Sequence, residues 1–146
     1  MSIRVLVAED APVVRRALAA LISADPHFEL VGEAEDAVQA IEVAWVTRPD
    51  VAVIDVKMPG GGGARATREI LRCSPETRVV ALSARAERHC VMEMRAAGAS
   101  CYVLKGIPAD QILRTIRECV SRASPQQGAG AREPAPAGTQ SPWVRG

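Results

Sequence analysis

The chain has 146 residues, enough for one domain with a sizeable core. Its basic and acidic side chains number 18 and 17, and setting aside Arg132, Arg145 and Glu133 near the C-terminus leaves the two signs in balance. A neutral body has no field to steer it toward nucleic acid or a membrane surface, so this chain is expected to bind neither directly.

Apolar runs of strand length alternate five times with segments of helical period. The first strand covers residues 3–8 and ends at Glu9 and Asp10. A helix is expected over about 11–24, with Val14, Leu18, Leu21 and Ile22 inward and Arg15 and Arg16 beside them. Pro12 suits its first turn, where no intrahelical N–H partner is needed. Strand two covers 29–33. Helix two covers about 37–47, with Val38, Ile41 and Ala44 or Trp45 inward and Pro49 marking its end.

Strand three, 51–54, runs into Asp55. Helix three is expected over about 64–73, and strand four, 78–82, runs into Ser83. Helix four covers about 86–97 and stops at Gly98. Strand five, 101–104, runs into Lys105, and helix five follows over about 108–123 with Ile112, Ile116 and Val120 inward. Strands three and four are apolar without alternation, as required when helices cover both faces of a parallel sheet. Right-handed crossovers then give an α/β, doubly wound, five-stranded sandwich.

Residues 124–146 are rich in proline and glycine and poor in apolar side chains. Such a segment cannot bury enough to offset its ordering entropy, so it is expected to be a flexible tail or a truncated linker after a body over 1–123. No apolar run is long enough to span a membrane, and Met1-Ser2-Ile3-Arg4 leads straight into a strand, which argues against a signal peptide. The four cysteines lie in no CxxC pair, which argues against a structural zinc site and for buried thiols in a reducing cytoplasm.

A parallel sheet gathers its strand ends at one edge. Glu9, Asp10, Asp55, Ser83 and Lys105 should therefore meet there. The only two lysines, Lys57 and Lys105, each lie at or just past a strand end. Asp10 and Asp55 on neighbouring strands would repel each other unless a cation lies between them, and Mg²⁺ suits carboxylates, carbonyls and water. Asp10, Asp55 and the backbone carbonyl of Lys57 would ligate it, with Glu9 acting through a metal-bound water or from behind. Lys105 and Ser83 would neutralise and hydrogen-bond a phosphoryl group as it meets the Asp55 oxygen, giving an acyl phosphate. The run Met58-Pro59-Gly60-Gly61-Gly62-Gly63 is a tight loop beside this site, with neither dinucleotide nor Walker spacing.

The ordered set strand–Glu9-Asp10, strand–Asp55 with Lys57-Met58-Pro59-Gly60, strand–Ser83-Ala84 and Gly98 through Lys105 resembles the receiver domain of bacterial two-component response regulators, over about residues 3–122. The resemblance implies a flavodoxin-like (CheY-like) three-layer sandwich with strand order 2-1-3-4-5. It implies phosphotransfer to Asp55 from a sensor histidine kinase or histidine phosphotransfer protein, with Mg²⁺ as cofactor. Ser83 and Lys105 match the family's hydroxyl and lysine positions. Tyr102 matches its switch aromatic, which turns inward as Ser83 moves toward the phosphoryl group and remodels the face of helix four, strand five and helix five. The bland alternative for Tyr102 is edge packing with its hydroxyl in water.

Gly106 follows Lys105 where many receivers carry proline, which resembles the branch that often carries a helix-turn-helix output domain. Lys57 and Arg85 occupy the two variable positions that tune water access to the acyl phosphate. Helix five, through Arg114, Arg117 and Glu118, either forms a homodimer or is solvated surface. The chain itself is either a stand-alone receiver or the receiver of a longer regulator. Two other readings compete: a degenerate receiver signalling by contact alone, and an aspartate-nucleophile phosphatase. The second usually needs an acidic residue where Lys57 stands. A phosphoacceptor of this kind would dephosphorylate itself slowly rather than turn over as a conventional enzyme. A dinucleotide or flavin binder is disfavoured by Glu9-Asp10, which would repel a phosphate.

Overall fold

The computed structural model describes residues 2–122, so the expectation for 124–146 lies outside the described residues. Ten elements alternate strictly: β1 Ile3–Ala8, α1 Pro12–Ser23, β2 Phe28–Ala34, α2 Ala37–Thr47, β3 Val51–Asp55, α3 Gly62–Cys73, β4 Arg78–Ser83, α4 Arg88–Ala97, β5 Cys101–Leu104 and α5 Ala109–Ser121. All four strand pairings are parallel, and the sheet order is β2-β1-β3-β4-β5. The expected class and strand order both hold.

The sheet sorts its side chains by strand parity into two cores. Leu6, Ala8, Ala52, Ile54, Val79, Ala81 and Tyr102 face α2, α3 and α4. Val5, Val7, Val51, Val53, Val80, Leu82, Cys101 and Val103 face α1 and α5, where Leu18, Ile22, Ile116 and Cys119 meet them. Three helices thus cover one face and two the other. Ile112 and Val120 of α5 pack against the second core from its margin, as their spacing predicts.

Local sequence explains most boundaries. Pro12 opens α1. The Asp36 carboxylate caps α2 by accepting from Gln39 N at 2.8 Å. Gly98, at φ 114°, ends α4 in the left-handed conformation that glycine tolerates best.

Two expectations are corrected. The inner face of α2 is Ala37, Ala40 and Ala44 with Ile41 packed beside them, so Ile41 and Ala44 lie inward as expected, but Val38 and Trp45 are 44% and 59% exposed. This helix is apolar nearly all round, so hydropathy could not choose a face. Alanines at i, i+3 and i+7 let the helix approach a sheet that is itself lined there by Ala8, Ala34 and Ala52. Second, α3 begins at Gly62, inside the glycine run, two residues before the expected start. A Cβ at Gly63 would lie 2.5 Å from the carbonyl oxygen of Asp55 and 2.9 Å from Val56 Cα. Glycine there lets α3 start directly behind the end of β3, with Gly63 N–H donating to Val56 O at 2.8 Å.

All four cysteines are buried, and none of them forms a disulfide. No helix among the described residues is long and apolar enough to cross a membrane.

Candidate functional site

The carboxyl ends of β1, β3, β4 and β5 line an open cleft of about 430 Å³ bordered by Asp10, Asp55, Lys57, Ser83, Ala84, Arg85, Glu87 and Lys105. Strand pairing fixes this convergence. Ala8 pairs with Ile54, Asp55 with Leu82 and Ser83 with Leu104, so the residue ending each strand arrives at the same edge.

Asp55 is 4% exposed at the floor of the cleft. Its Oδ1 lies 3.3 Å from Lys105 Nζ and accepts from Lys57 N at 3.4 Å. Glu9 is fully buried beside it. One Glu9 oxygen lies 2.6 Å from Lys105 Nζ, and the other accepts from Ala11 N at 3.1 Å. Arg15 Nη1 donates to the Glu9 carbonyl at 2.9 Å and so holds the turn after β1. Lys105 pairs with Asp55, but its shorter contact is with Glu9.

Carboxylate oxygens of Glu9, Asp10 and Asp55 lie within 4.8 Å of one another. Burial, reinforced by Glu9, pushes the Asp55 carboxyl up to about 7. A hydrogen bond with Glu9 holds the exposed Asp10 below the usual carboxylate range, against a smaller effect of burial. Partial burial works against the Lys105 ammonium, but the hydrogen bond to Glu9 and the charge of Asp55 outweigh it and raise its pKa. Three carboxylates meet a single ammonium at this edge, more acidic groups than Lys105 can pair. An all-oxygen donor set with spare acidic groups, open to water on one side, fits a hard divalent cation. Glu9 is fully buried, with Oε2 accepting from Ala11 N and Oε1 ion-paired to Lys105 without a hydrogen bond of good geometry, and Asp10 and Asp55 are the carboxylates that border the cleft.

Ser83 is buried at the end of β4, and its Oγ donates to the carbonyl of Arg85 at 2.9 Å. The Tyr102 hydroxyl donates to that same carbonyl at 3.2 Å. Edge packing with the Tyr102 hydroxyl in water is thus ruled out: the ring is fully buried in the core under α4, and its O–H has found a backbone acceptor. Burial also pushes the phenol up.

Two features of the site were missed from the sequence. The Arg85 carbonyl joins Ser83 to Tyr102, and no residue type announces where a carbonyl points. Glu87 borders the cleft and reaches Lys57 Nζ at 3.8 Å. An acidic residue just past the end of β4 was the available signal.

The family model for the response regulator receiver domain matches residues 5–117. The chain belongs to the response regulator receiver domain family. Among similar receivers, the DNA-binding transcriptional activator DevR/DosR of Mycobacterium tuberculosis is 35% identical over 116 residues, covering 80% of this chain and 54% of that protein. The response regulator GacA of Pseudomonas viridiflava is 36% identical over 115 residues, covering 79% of this chain and 54% of that one. The chain therefore spans about half the length of these curated relatives. The receiver domain of the putative response regulator NarL from Mycobacterium tuberculosis superposes with a TM-score of 0.78 at 32% identity, covering 83% of this chain and 98% of that one. This receiver is thus a module of two-component signalling.

Proposed function

We propose that this receiver accepts a phosphoryl group on Asp55 from the phosphohistidine of a sensor kinase or phosphotransfer protein. The observation that carries this reading is the meeting of Asp55 with Lys105, Ser83 and a carboxylate cluster in one open cleft. Mg²⁺ would be held by Asp10, Asp55 and the Lys57 carbonyl, with Glu9 behind them, and would supply positive charge opposite the phosphoryl oxygens. The protein's own part is positional. The Lys57 N–H and the Lys105 ammonium both contact Oδ1 of Asp55 and so orient the carboxylate. An Asp55 oxygen attacks phosphorus as the P–N bond to the donor imidazole breaks, and the imidazole leaves with the electron pair. Lys105 can then turn to a phosphoryl oxygen, while Glu9 keeps the ammonium in place at its other contact.

The switch follows from the shared acceptor. To donate to a phosphoryl oxygen, Ser83 must leave the Arg85 carbonyl, and Tyr102 then keeps that carbonyl alone. Tyr102 already occupies the inward position, so the phosphoryl group acts by changing which inward arrangement is favoured. The affected surface is α4, β5 and α5, through which the output would pass. Kinase recognition, pairing through α5 and residence in the cytoplasm belong to the same reading. Lys57 at the second position after Asp55 counts against a turnover phosphatase.

Intact mass after incubation with a small phosphodonor and Mg²⁺ tests the proposal. The wild type should gain one phosphoryl group, and Asp55→Ala should gain none. An unmodified wild type would instead make the chain a contact-only receiver.

A further inference from the structure

The junction between β4 and α4 holds a second cluster of ligating groups that phosphotransfer leaves unused. Glu87 is the N-cap of α4, and His89 and Cys90 lie in its first turn. Cys90 is anchored in the core under the helix, while the His89 side chain is 78% exposed. Glu87 Oε2 lies 3.4 Å from His89 Nε2, and Cys90 Sγ lies 3.5 Å from that same nitrogen. Donor atoms of the three residues all lie within 4.8 Å of one another.

A proton serves this arrangement poorly. A single Nε2 carrying hydrogen can donate to the carboxylate but then cannot accept from the thiol. Without hydrogen it can accept from the thiol but turns a lone pair toward the carboxylate. A cation satisfies all three at once. Zn–S bonds of about 2.3 Å and Zn–N and Zn–O bonds of about 2.0–2.1 Å in a tetrahedron place S and N about 3.6 Å apart and N and O about 3.4 Å apart. Both observed separations match these edges.

We propose that Glu87, His89 and Cys90 form a binding site for a borderline-soft divalent transition-metal ion such as zinc, with its fourth position open to water. A mixed oxygen, nitrogen and sulfur donor set suits such an ion and does not suit Mg²⁺. Burial, and after it the charge of Glu87, pushes the Cys90 thiol up, so it is the bond to the metal, with the start of α4 behind it, that draws off the thiol proton. Lys57 approaches the other Glu87 oxygen, Oε1, so it need not be displaced. On binding, the Cys90 thiol loses its proton to solvent and its sulfur forms the bond to the metal. Glu87 also borders the Asp55 cleft, so the two sites adjoin, but the three metal bonds proposed here use none of the groups assigned to phosphotransfer.

The test is titration of the full chain with Co²⁺ as a zinc surrogate in excess Mg²⁺, following the thiolate-to-cobalt charge-transfer absorption. The band should saturate at one equivalent, disappear on addition of zinc and be absent in Cys90→Ser. His89→Ala changes an exposed side chain and leaves the core intact, so it should fold; it should weaken Co²⁺ binding by at least about tenfold. Absence of the band in the wild type, its survival in Cys90→Ser, or unchanged affinity in His89→Ala would each overturn the site.

Discussion

Asp55 sits at a carboxyl pKa of about 7 because it is buried beside Glu9, with Asp10 close by, and Lys105 offsets only part of that cost. In metal-free buffer this has a definite consequence. Between an unfolded pKa near 3.8 and the folded value near 7, the native state holds a proton that the unfolded state has lost, so stability falls as pH rises through that window. Asp55→Asn removes the titration. It should flatten this part of the stability curve and raise stability above pH 7 by on the order of a few kcal/mol, read from urea unfolding in chelator. Mg²⁺ should restore much of the wild type's loss and give Asp55→Asn far less. Asp10→Asn should likewise weaken Mg²⁺ binding, followed by amide shifts; wild-type affinity in that variant would remove Asp10 from the ligand set. At this scale the sequence was informative where residue type and strand-end position coincide, as at Asp10, Asp55, Ser83 and Lys105. It was silent on the Arg85 carbonyl and on the division of Lys105 between Glu9 and Asp55, because both depend on side-chain and peptide orientation.

The loop from Asp55 to α3 reads as four interchangeable glycines, but the structure distinguishes them. Gly63 faces the Asp55 carbonyl with no room for a Cβ, so Gly63→Ala must push α3 or the end of β3 aside. It should cost about 1–3 kcal/mol in chemical denaturation and lower phosphoryl uptake, since it displaces the acceptor's own backbone. The junction of β4, α4 and β5 carries a second element-scale expectation. Ser83→Ala should still accept phosphate, more slowly, but should lose most of the amide-shift changes that a beryllofluoride mimic produces in α4 and α5. Full retention of those distant changes would show that Ser83 is not the coupling hydroxyl. The positions of β3, β4 and β5 were readable from continuous apolar runs, and α1 and α5 from clear periodicity. The inner face of α2 was not, because that helix is apolar on nearly every side and small size, rather than hydropathy, selects the packed face.

The whole molecule puts its reactive groups at one edge and its packing between two helix layers, so the chemistry and the cores hardly compete for the same residues. Topology was legible in the sequence because strict β–α alternation with right-handed crossovers admits few arrangements, and the ordered strand-end residues selected one family among them. The central claim is that this edge delivers a phosphoryl group to Asp55 and to no other residue. Borohydride trapping of the phosphorylated protein followed by peptide mapping tests it most directly. The modified residue should map to position 55, and the label should vanish in Asp55→Ala. A trapped label at any other position, or one that survives in Asp55→Ala at wild-type stoichiometry, would contradict the account.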